Sequence, residues 1–432
     1  MKKRINKLIH VGTFMVIASL LLALGTVAIA QDKKTVVWGV VWNAPERDRL
    51  VEIYNGRHPE VLIKQDFITT EKLTVSIAAG NPSDFAMFDR SAVARWALKG
   101  ALAPLSEFAA AGGMKAEDYV ASAWNQLFWE GEMYCMPAEL DARALFWNKG
   151  LFKEAGLDPE RPPVTIAELD EYAEKLTEKR SDGSYETLGF IPWHDQGWIF
   201  KLWAKIFGGE FVDPETGRLS ANDPKLLDAL NWMMTYVDKY GTSRMTGFAE
   251  GWAEAIASPF YANTLGMMVS GNWQLGPNHI SKYAPGLDYG VAPIPSPPGG
   301  VDNYTLVWGW ANVIPKGSAN IQEAFDFLQW LAEPEGQMLW TAPNGVVQYF
   351  PFNKIALQDP VFYQGKHKVF MELVRGDGAD AWEASPEVFV ALDEGVTVVD
   401  NAIYRKMTPE EALKLYDERL LKAWEERVEG IK

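Results

Sequence analysis

Two carboxylic acids separated by one residue are the first side chains in this sequence whose spacing suits a chemical role. Glu139 and Asp141 lie in the segment CMPAELDARALFWN, and residues two apart in a strand face the same side. A pair of carboxyl groups can serve as the acid and base of glycoside hydrolysis. As carboxylates, they can equally accept hydrogen bonds from sugar hydroxyls without any bond being broken. The pair leaves open whether the protein is an enzyme or a binding protein.

Tryptophan is the second chemical signal, with 18 tryptophans among 432 residues. An indole is a wide, rigid, apolar plate with one N–H donor, which suits the flat face of a sugar ring. Most tryptophans in proteins pack in the core, so only some of the 18 are expected to touch a ligand. The composition indicates a carbohydrate ligand, and position must decide which rings bind it.

Other catalytic and metal-binding patterns are missing from the sequence. It contains no GxSxG, GxxxxGK[ST], HExxH or GxGxxG motif. The histidines after the first thirty residues show no metal-ligand spacing; they are His58, His194, His279 and His367. We therefore expect neither a metal site nor a cofactor.

The N-terminus has the pattern of an export signal. Four basic residues precede a largely apolar, uncharged run from Leu8 to Val27, and Ala28-Ile29-Ala30 offers the small residues that a signal peptidase recognises. We expect cleavage after Ala30 and a periplasmic or other extracytoplasmic protein, with a retained membrane anchor as the alternative. Because no cysteine lies near this site, we expect no lipid anchor through cysteine.

Charge and length restrict the protein further. The formal net charge is −16, and removing residues 1–30 leaves 37 basic against 57 acidic residues, a net charge of −20. Such a chain repels phosphate backbones, so no nucleic-acid partner is expected. Cys135 is the only cysteine, so no internal disulfide can form. About 400 residues exceed what one core usually supports, which predicts two domains.

Strands alternate with helices along the chain. The predicted strands are apolar runs: TVVWGVVW, VLIKQDF, DFAMFD, RALFWN, YETLGFIPW, NTLGMMVSG, YGVAPIP and TLVWGWANVIP. Helices are predicted over 165–179 and 222–240, between Asn320 and Pro334, and after the capping box Thr408-Pro409-Glu410-Glu411. This alternation predicts an α/β protein with a parallel sheet.

One long segment carries a family resemblance. FWNKGLFKEAGLDPERPPVTIAELDEYAEKLT (146–177) resembles the pattern YNKDLFKEAGLD-PP-TWDEL of the extracellular solute-binding proteins of sugar ABC importers. Further matching segments follow the family order: 71–90, 265–276, 289–299, 308–337 and DPVF at 359–362. The resemblance covers nearly the whole chain after residue 30 and is closest to the maltodextrin-binding members.

This resemblance implies a two-lobed α/β fold of the type II periplasmic-binding-protein kind. Each lobe is a sheet flanked by helices, and the ligand is clamped between the lobes. The implied N-terminal lobe comprises 31–141 and 309–345, and the C-terminal lobe comprises 142–308 and 346–432. Hinge segments are expected to cross between the lobes near Asp141–Phe146, Thr305–Ala311 and Asn344–Phe350.

The resemblance also implies ligand-binding residues. Asp89 and Arg90 occupy the strand end where the family presents polar groups to sugar hydroxyls, although Asp89 is also suited to cap a helix. Trp273 in SGNWQLG matches an aromatic residue that faces the cleft in the family. Trp198, ten residues before Gly208-Gly209, or its neighbour Trp193 is expected to stack on the sugar.

Four further positions complete the predicted site. Trp308 and Trp310 flank Gly309 in a crossing strand, so alternation directs both indoles to the same side. Trp42 and Asn43 lie at the end of the first strand, where α/β sheets bind ligands. Trp382 aligns approximately with an aromatic residue near the C-terminus of family members.

The function implied is reversible capture of a sugar or oligosaccharide outside the cytoplasmic membrane and its delivery to an ABC permease, without catalysis. A cleft that must open and close favours a monomer. Two alternatives stay open: the same fold binding a cationic small molecule or peptide in a cage of indoles and carboxylates, and a secreted carbohydrate-active enzyme.

Overall fold

A computed structural model describes residues 33–41, 45–194, 198–250, 258–382 and 385–430. The predicted signal peptide, residues 1–30, and the predicted site residues Trp42 and Asn43 lie outside the described residues.

The strands, in chain order, are β1 Lys34–Val40, β2 Val61–Phe67, β3 Phe85–Asp89, β4 Phe128–Trp129, β5 Glu132–Met133, β6 Cys135–Pro137, β7 Arg143–Asn148, β8 Glu178–Lys179, β9 Tyr185–Thr187, β10 Met267–Gly271, β11 Tyr289–Ala292, β12 Thr305–Leu306, β13 Trp310–Val313 and β14 Ala379–Asp380.

The α-helices are α1 Pro45–Arg57, α2 Thr70–Ala78, α3 Val93–Leu98, α4 Ser106–Ala111, α5 Ala121–Trp124, α6 Lys149–Glu154, α7 Ile166–Lys175, α8 Ile199–Ile206, α9 Pro224–Tyr240, α10 Thr242–Glu250, α11 Ile280–Tyr283, α12 Ile321–Ala332, α13 Pro334–Thr341, α14 His367–Arg375, α15 Val388–Ile403 and α16 Pro409–Gly430.

The first lobe is built on a five-stranded sheet in the order β2-β1-β3-β13-β6. Val36, Trp38 and Val40 of β1 are buried, and because residues two apart in a strand face the same side, they form one apolar face of β1 that packs into the core. The indole N–H of Trp38 donates to Oδ1 of Asn312 in β13 at 2.9 Å. This bond joins residues 274 positions apart in sequence and ties the late strand β13 into the early sheet.

The second lobe contains a three-stranded sheet in the order β10-β7-β11. All six residues of β7 are buried. The ring of Phe146 in β7 packs against that of Phe370 in α14, with centroids 6.0 Å apart. Helix α14 therefore closes one face of this sheet.

The prediction of a parallel sheet is right only for part of the first lobe. Strand β1 is parallel to β2 and β3, but β13 is antiparallel to both β3 and β6, and β7 is antiparallel to β10 and β11. The alternation rule assumes that neighbouring strands are joined by a crossover helix. It fails here because β13 enters the first sheet only after the chain has built most of the second lobe.

Three segments predicted to cross between the lobes lie side by side. Leu140 and Phe350 exchange backbone hydrogen bonds of 2.7 and 3.0 Å, and Asp141 and Trp308 exchange bonds of 3.1 and 3.0 Å. Each bridge is antiparallel. The chain thus passes between the lobes through a narrow, mutually bonded set of strands, called the hinge below: residues 139–141, 308–309 and 350.

Helix termini follow local capping chemistry. The capping box is confirmed, because Glu411 N–H donates to Oγ1 of Thr408 at 3.2 Å and Thr408 N–H donates to Oε2 of Glu411 at 2.9 Å. Helix α12 ends at Ala332 as predicted, and Pro334 also opens α13, since proline suits the first position of a helix.

Candidate ligand-binding cleft

A crevice lies beside the hinge and is lined from both lobes. Its lining residues are Arg90, Ser91, Ala94, Gln126 and Phe128 of the first lobe, Trp308 of the hinge, and Trp382 and Ser385 of the second lobe. The free space at its centre is about 10 Å³, which holds about one water molecule. In this arrangement the side chains nearly fill the crevice, so a sugar enters only if the lobes separate or side chains move.

Arg90 fastens the hinge to the first lobe. Its Nε donates to the carbonyl oxygen of Gly309 at 3.0 Å, and its Nη2 donates to the carbonyl oxygens of Glu139, at 3.0 Å, and Trp308. One guanidinium thus binds the backbone of two crossing segments. Arg90 is itself buried, with 5% of its surface exposed.

Gly309 makes this contact possible. A Cβ at this position would overlap Arg90 Nη2 and the carbonyl oxygen of Glu139, and its φ is +140°. Glycine is therefore required between Trp308 and Trp310.

Asp89 caps the short 3₁₀ helix Arg90–Ala92. Its Oδ1 accepts hydrogen bonds from Ser91 N–H at 2.8 Å and from Ser91 Oγ at 2.6 Å. The capping role weighed for this residue is therefore present in the structure. Its opposite neighbour across the sheet is the half-buried Trp310.

Glu139 is inside the protein. The side chain is fully buried, its Oε1 accepts the backbone N–H of Trp310 at 2.8 Å, and its Oε2 accepts the indole N–H of Trp340 at 2.7 Å. Burial raises the pKa of the Glu139 carboxyl to about 7, because removal from water disfavours the carboxylate. The two N–H donors and Arg90 act in the opposite direction. Both oxygens are thus engaged by the protein itself.

Asp141 forms a buried ion pair with Arg143. The exposed fraction is 6% for residue Asp141 and 4% for residue Arg143. The guanidinium carbon of Arg143 lies 4.9 Å from the ring centroid of Trp198 and 4.9 Å from that of Trp273. Cation–π attraction stabilises both contacts. The two indoles predicted to stack on sugar are therefore brought together, with Arg143 as their common neighbour.

Local structure explains where these indoles lie. Trp198 occupies the N-cap position of α8, and Trp273 lies in the 3₁₀ helix Asn272–Leu275 directly after β10. The Trp273 ring covers Gly271, where any Cβ would overlap it. Chain turns at the ends of buried elements thus present both rings to Arg143 of β7.

Trp308 and Trp382 form a second aromatic pair in the crevice. Their ring planes are nearly perpendicular, at 89°, with centroids 6.2 Å apart. The ammonium group of Lys201 lies 3.8 Å from the centroid of the Trp382 ring. Trp193 is half-buried and packs against the hydrophobic core, and it is not among the described residues that line this crevice.

Three polar atoms of the crevice are buried and have no hydrogen-bond partner among the described residues. They are Nη1 of Arg90, Oε1 of Gln126 and Nε1 of Trp382. Buried polar groups are paired in most proteins, and an unpaired one costs about 1–3 kcal/mol. Their concentration in one crevice marks it as a place where an outside polar group is needed.

Sequence reasoning missed several of these residues. Arg143 lies two positions after Asp141 and so shares its strand face, a signal that could have identified it. Gln126 and Lys201 lie in apolar surroundings, WNQLFW and IFKLW, without a spacing that predicts a site.

Within the described ranges, no group of three or more histidine, cysteine, aspartate or glutamate side chains is placed to hold a metal ion. The same residues include no helix of the length and apolarity that a membrane span needs.

Comparisons with known proteins agree with this geometry. The family model of the bacterial extracellular solute-binding proteins matches residues 50–338. The solved structure of CpMnBP1 with mannobiose bound is 32% identical, has a TM-score of 0.80, and is aligned over 90% of this chain and 100% of that chain. The mannitol-binding protein of Pseudomonas aeruginosa is 26% identical over 75% of this chain and 74% of its own length. The maltotriose-binding protein of Pyrococcus abyssi is 24% identical over 72% of this chain and 64% of its own length.

These matches confirm the predicted family and the predicted two-lobed α/β fold of type II. They also agree with the predicted class of function, the capture of a solute outside the cell by a transporter's binding protein. From its sequence, its fold and these likenesses, the chain belongs to the bacterial extracellular solute-binding proteins.

Proposed function

We propose that this protein captures a neutral oligosaccharide outside the cytoplasmic membrane and delivers it to the permease of an ABC importer. The observation that carries the proposal is the crevice itself, where indole rings and buried, unpaired polar atoms from both lobes meet beside the hinge. Indoles suit the faces of sugar rings, and the polar atoms suit their hydroxyls.

Short mannooligosaccharides are the first ligands to test. CpMnBP1 has been solved with mannobiose and with mannotriose bound. The aligned sequences are 32% identical for the mannobiose structure and 31% identical for the mannotriose structure. Other relatives are named for mannitol and maltotriose. The proposed ligand class is therefore one or a few linked sugar units.

In the proposed complex, rings among Trp198, Trp273, Trp308 and Trp382 cover sugar faces. Each ring removes apolar surface worth about 25 cal/mol per Å² from water. Arg90 and other polar groups replace the water bound to hydroxyls. A micromolar ligand needs about −8 kcal/mol, which two or three stacked rings and several hydrogen bonds supply after the costs of closure.

A cationic ligand fits the crevice poorly. Arg90 lines it, Lys201 lies against Trp382, and Arg143 already lies over the rings of Trp198 and Trp273. Because like charges repel strongly in a buried site, these three cations disfavour an amine or a basic peptide.

The remaining predictions belong to the same proposal. Cleavage of residues 1–30 releases a monomer without a cysteine-linked lipid, and the permease recognises the closed form. We propose lobe boundaries after 141, 308 and 345, a division supported by the backbone bonds that Asp141, Trp308 and Phe350 make in the hinge. Trp42, Asn43, Asp89, Trp193 and Trp310 stay predicted ligand contacts, whereas Glu139 and Asp141 act by holding the hinge and Arg143.

The test is a thermal-shift panel followed by calorimetric titration. Mannobiose and mannotriose should raise the melting temperature, maltose and mannitol should do so less, and polyamines should not. Chromatography of the sugars after long incubation should recover them unchanged. Stabilisation by polyamines alone would contradict a sugar ligand, and cleavage of an oligosaccharide would contradict a purely binding role.

A further inference from the structure

Gln126 connects the two lobes across the crevice. It belongs to the 3₁₀ helix Asn125–Leu127 of the first lobe, and its Nε2 donates to the carbonyl oxygen of Trp382 in the second lobe at 3.1 Å. The bond joins residues 256 positions apart in sequence. Gln126 therefore reaches Trp382 only when the lobes lie close together.

This bond fixes the orientation of the amide. Only the NH₂ group of glutamine can donate to a backbone carbonyl, so the carbonyl oxygen Oε1 must lie on the other side. That oxygen is buried in the crevice lining and accepts no hydrogen bond from any described residue. A buried acceptor in this state has an unmet need for a donor.

Two unpaired donors lie in the same lining. Nη1 of Arg90 and Nε1 of Trp382 are buried, and within the described chain neither meets an acceptor. Arg90 and Trp382 are themselves only 5% and 4% exposed. One acceptor and two donors are together complementary to hydroxyl groups, because a hydroxyl donates one hydrogen bond and accepts others. A carboxylate or phosphate could satisfy the donors but would be repelled by the amide oxygen.

We propose that Gln126 is a specificity-determining residue, whose Oε1 accepts a hydrogen bond from one ligand hydroxyl while its NH₂ group holds the Trp382 carbonyl across the closed cleft. This inference rests on the proposed function. It adds that one sugar hydroxyl is recognised by a residue whose position depends on closure. Discrimination among sugars then occurs mainly in the closed state, since only there is the amide oriented.

The experiment compares wild type with Gln126→Met, which keeps the length of the side chain and removes the amide. Gln126→Glu keeps an acceptor and loses the donor to Trp382. Gln322→Met is the control, because Gln322 is an exposed residue of α12 that bonds Asp326 and does not line the crevice. Each protein is titrated calorimetrically with mannobiose and with its monodeoxy analogues, and its melting temperature is recorded.

Wild type should bind one monodeoxy analogue, the one that lacks the recognised hydroxyl, about tenfold or more weakly than it binds mannobiose. Gln126→Met should bind mannobiose about tenfold more weakly and show less than a twofold further loss for that analogue. Gln126→Glu should bind more weakly overall and retain the penalty for the analogue. Gln322→Met should match wild type.

If Gln126→Met loses as much affinity for each analogue, relative to mannobiose, as wild type does, the inference is overturned and the proposed function stands. If wild type binds no sugar, the proposed function fails and the inference fails with it. Should Gln126→Met not fold, loss of the analogue's penalty in Gln126→Glu would also overturn the inference.

Discussion

Buried charges are concentrated where the chain crosses between the lobes. Arg90, Glu139, Asp141 and Arg143 are each at most 6% exposed. Burying charges is costly unless each is paired and hydrogen-bonded. Here Arg90 binds carbonyls, Glu139 accepts two N–H donors, and Asp141 and Arg143 bind each other. The charges therefore fix the geometry of the hinge.

Arg143 has a particular consequence for ligand binding. Its guanidinium carbon lies the same distance, 4.9 Å, from the rings of Trp198 and Trp273. The Arg143 guanidinium thus already covers one face of each indole. A sugar must use their outer faces, or it must displace them from Arg143 as the cleft opens.

Glu139 makes the stability depend on pH. Burial raises its pKa to about 7, against about 4.5 in the unfolded chain, so between these values the folded protein holds a proton that the unfolded chain releases. The contribution to stability is complete below pH 4.5 and is lost as the pH rises to about 7. We expect the free energy of unfolding of wild type, relative to Glu139→Gln, to fall by about 3 kcal/mol over this range.

Urea unfolding of both proteins at several pH values from 4.5 to 7.5 measures this difference. Subtracting the variant removes the contributions of other carboxyl groups, such as Asp417, whose pKa is lowered and whose contribution has the opposite sign. A difference that stays constant with pH would show that Glu139 is ionised throughout the range.

At the scale of elements, the hinge depends on close contact between backbones. Gly309→Ala would place a Cβ against Arg90 Nη2 and the Glu139 carbonyl oxygen at a φ of +140°. We expect a loss of more than about 1 kcal/mol, because both the backbone conformation and the contact are unfavourable. Denaturant unfolding measures the loss.

Gly100→Ala is the matched control for this substitution. Gly100 also has a positive φ, +63°, but a Cβ there would meet nothing within 4 Å. It reports the cost of backbone strain without the steric contact. Equal losses at the two positions would show that the packing of Arg90 against Gly309 is unimportant.

Much of the element order could be predicted, because it depends on local patterns. The apolar runs gave β1, β2, β3 and β7 close to their observed bounds, and the capping box located α16. The direction of β13 could not be predicted from alternation, since it depends on which distant strands become neighbours.

The site was predictable only in part for the same reason. Indole-rich turns and the family pattern pointed to Trp198, Trp273 and Trp308, which the structure places near the hinge or in the crevice. The partners of Arg90 lie 218 and 219 residues away in one crossing segment, and that of Gln126 lies 256 residues away. No local spacing encodes such contacts.

At the scale of the whole molecule, cationic side chains join the lobes away from the hinge. Arg95 of α3 lies over the ring of Phe389 in α15, with its guanidinium carbon 5.7 Å from the centroid. Arg427 of α16 lies over Trp129 of the first lobe at 5.9 Å and binds Glu387 of the second lobe at 2.5 Å. These contacts exist only while the lobes are close, so they stabilise the closed form.

Arg427→Met should therefore shift the protein toward the open form. Losing one cation–π contact of about 0.5–1 kcal/mol changes the ratio of closed to open molecules by about two- to fivefold. Because the ligand binds the closed form, the apparent Kd for mannobiose should rise by at most the same factor. Small-angle X-ray scattering without ligand should show a larger radius of gyration than for wild type, and saturating ligand should restore the wild-type value.

Arg419→Met separates this effect from a general loss of charge on the same helix. Arg419 also lies on α16, but it binds Glu394 of α15, so both partners belong to the second lobe. Its removal should leave both the radius of gyration and the Kd at their wild-type values. If the two variants change the scattering equally, or if neither changes it, then the contact between Arg427 and Trp129 does not hold the lobes together, and closure depends on the crevice and hinge alone.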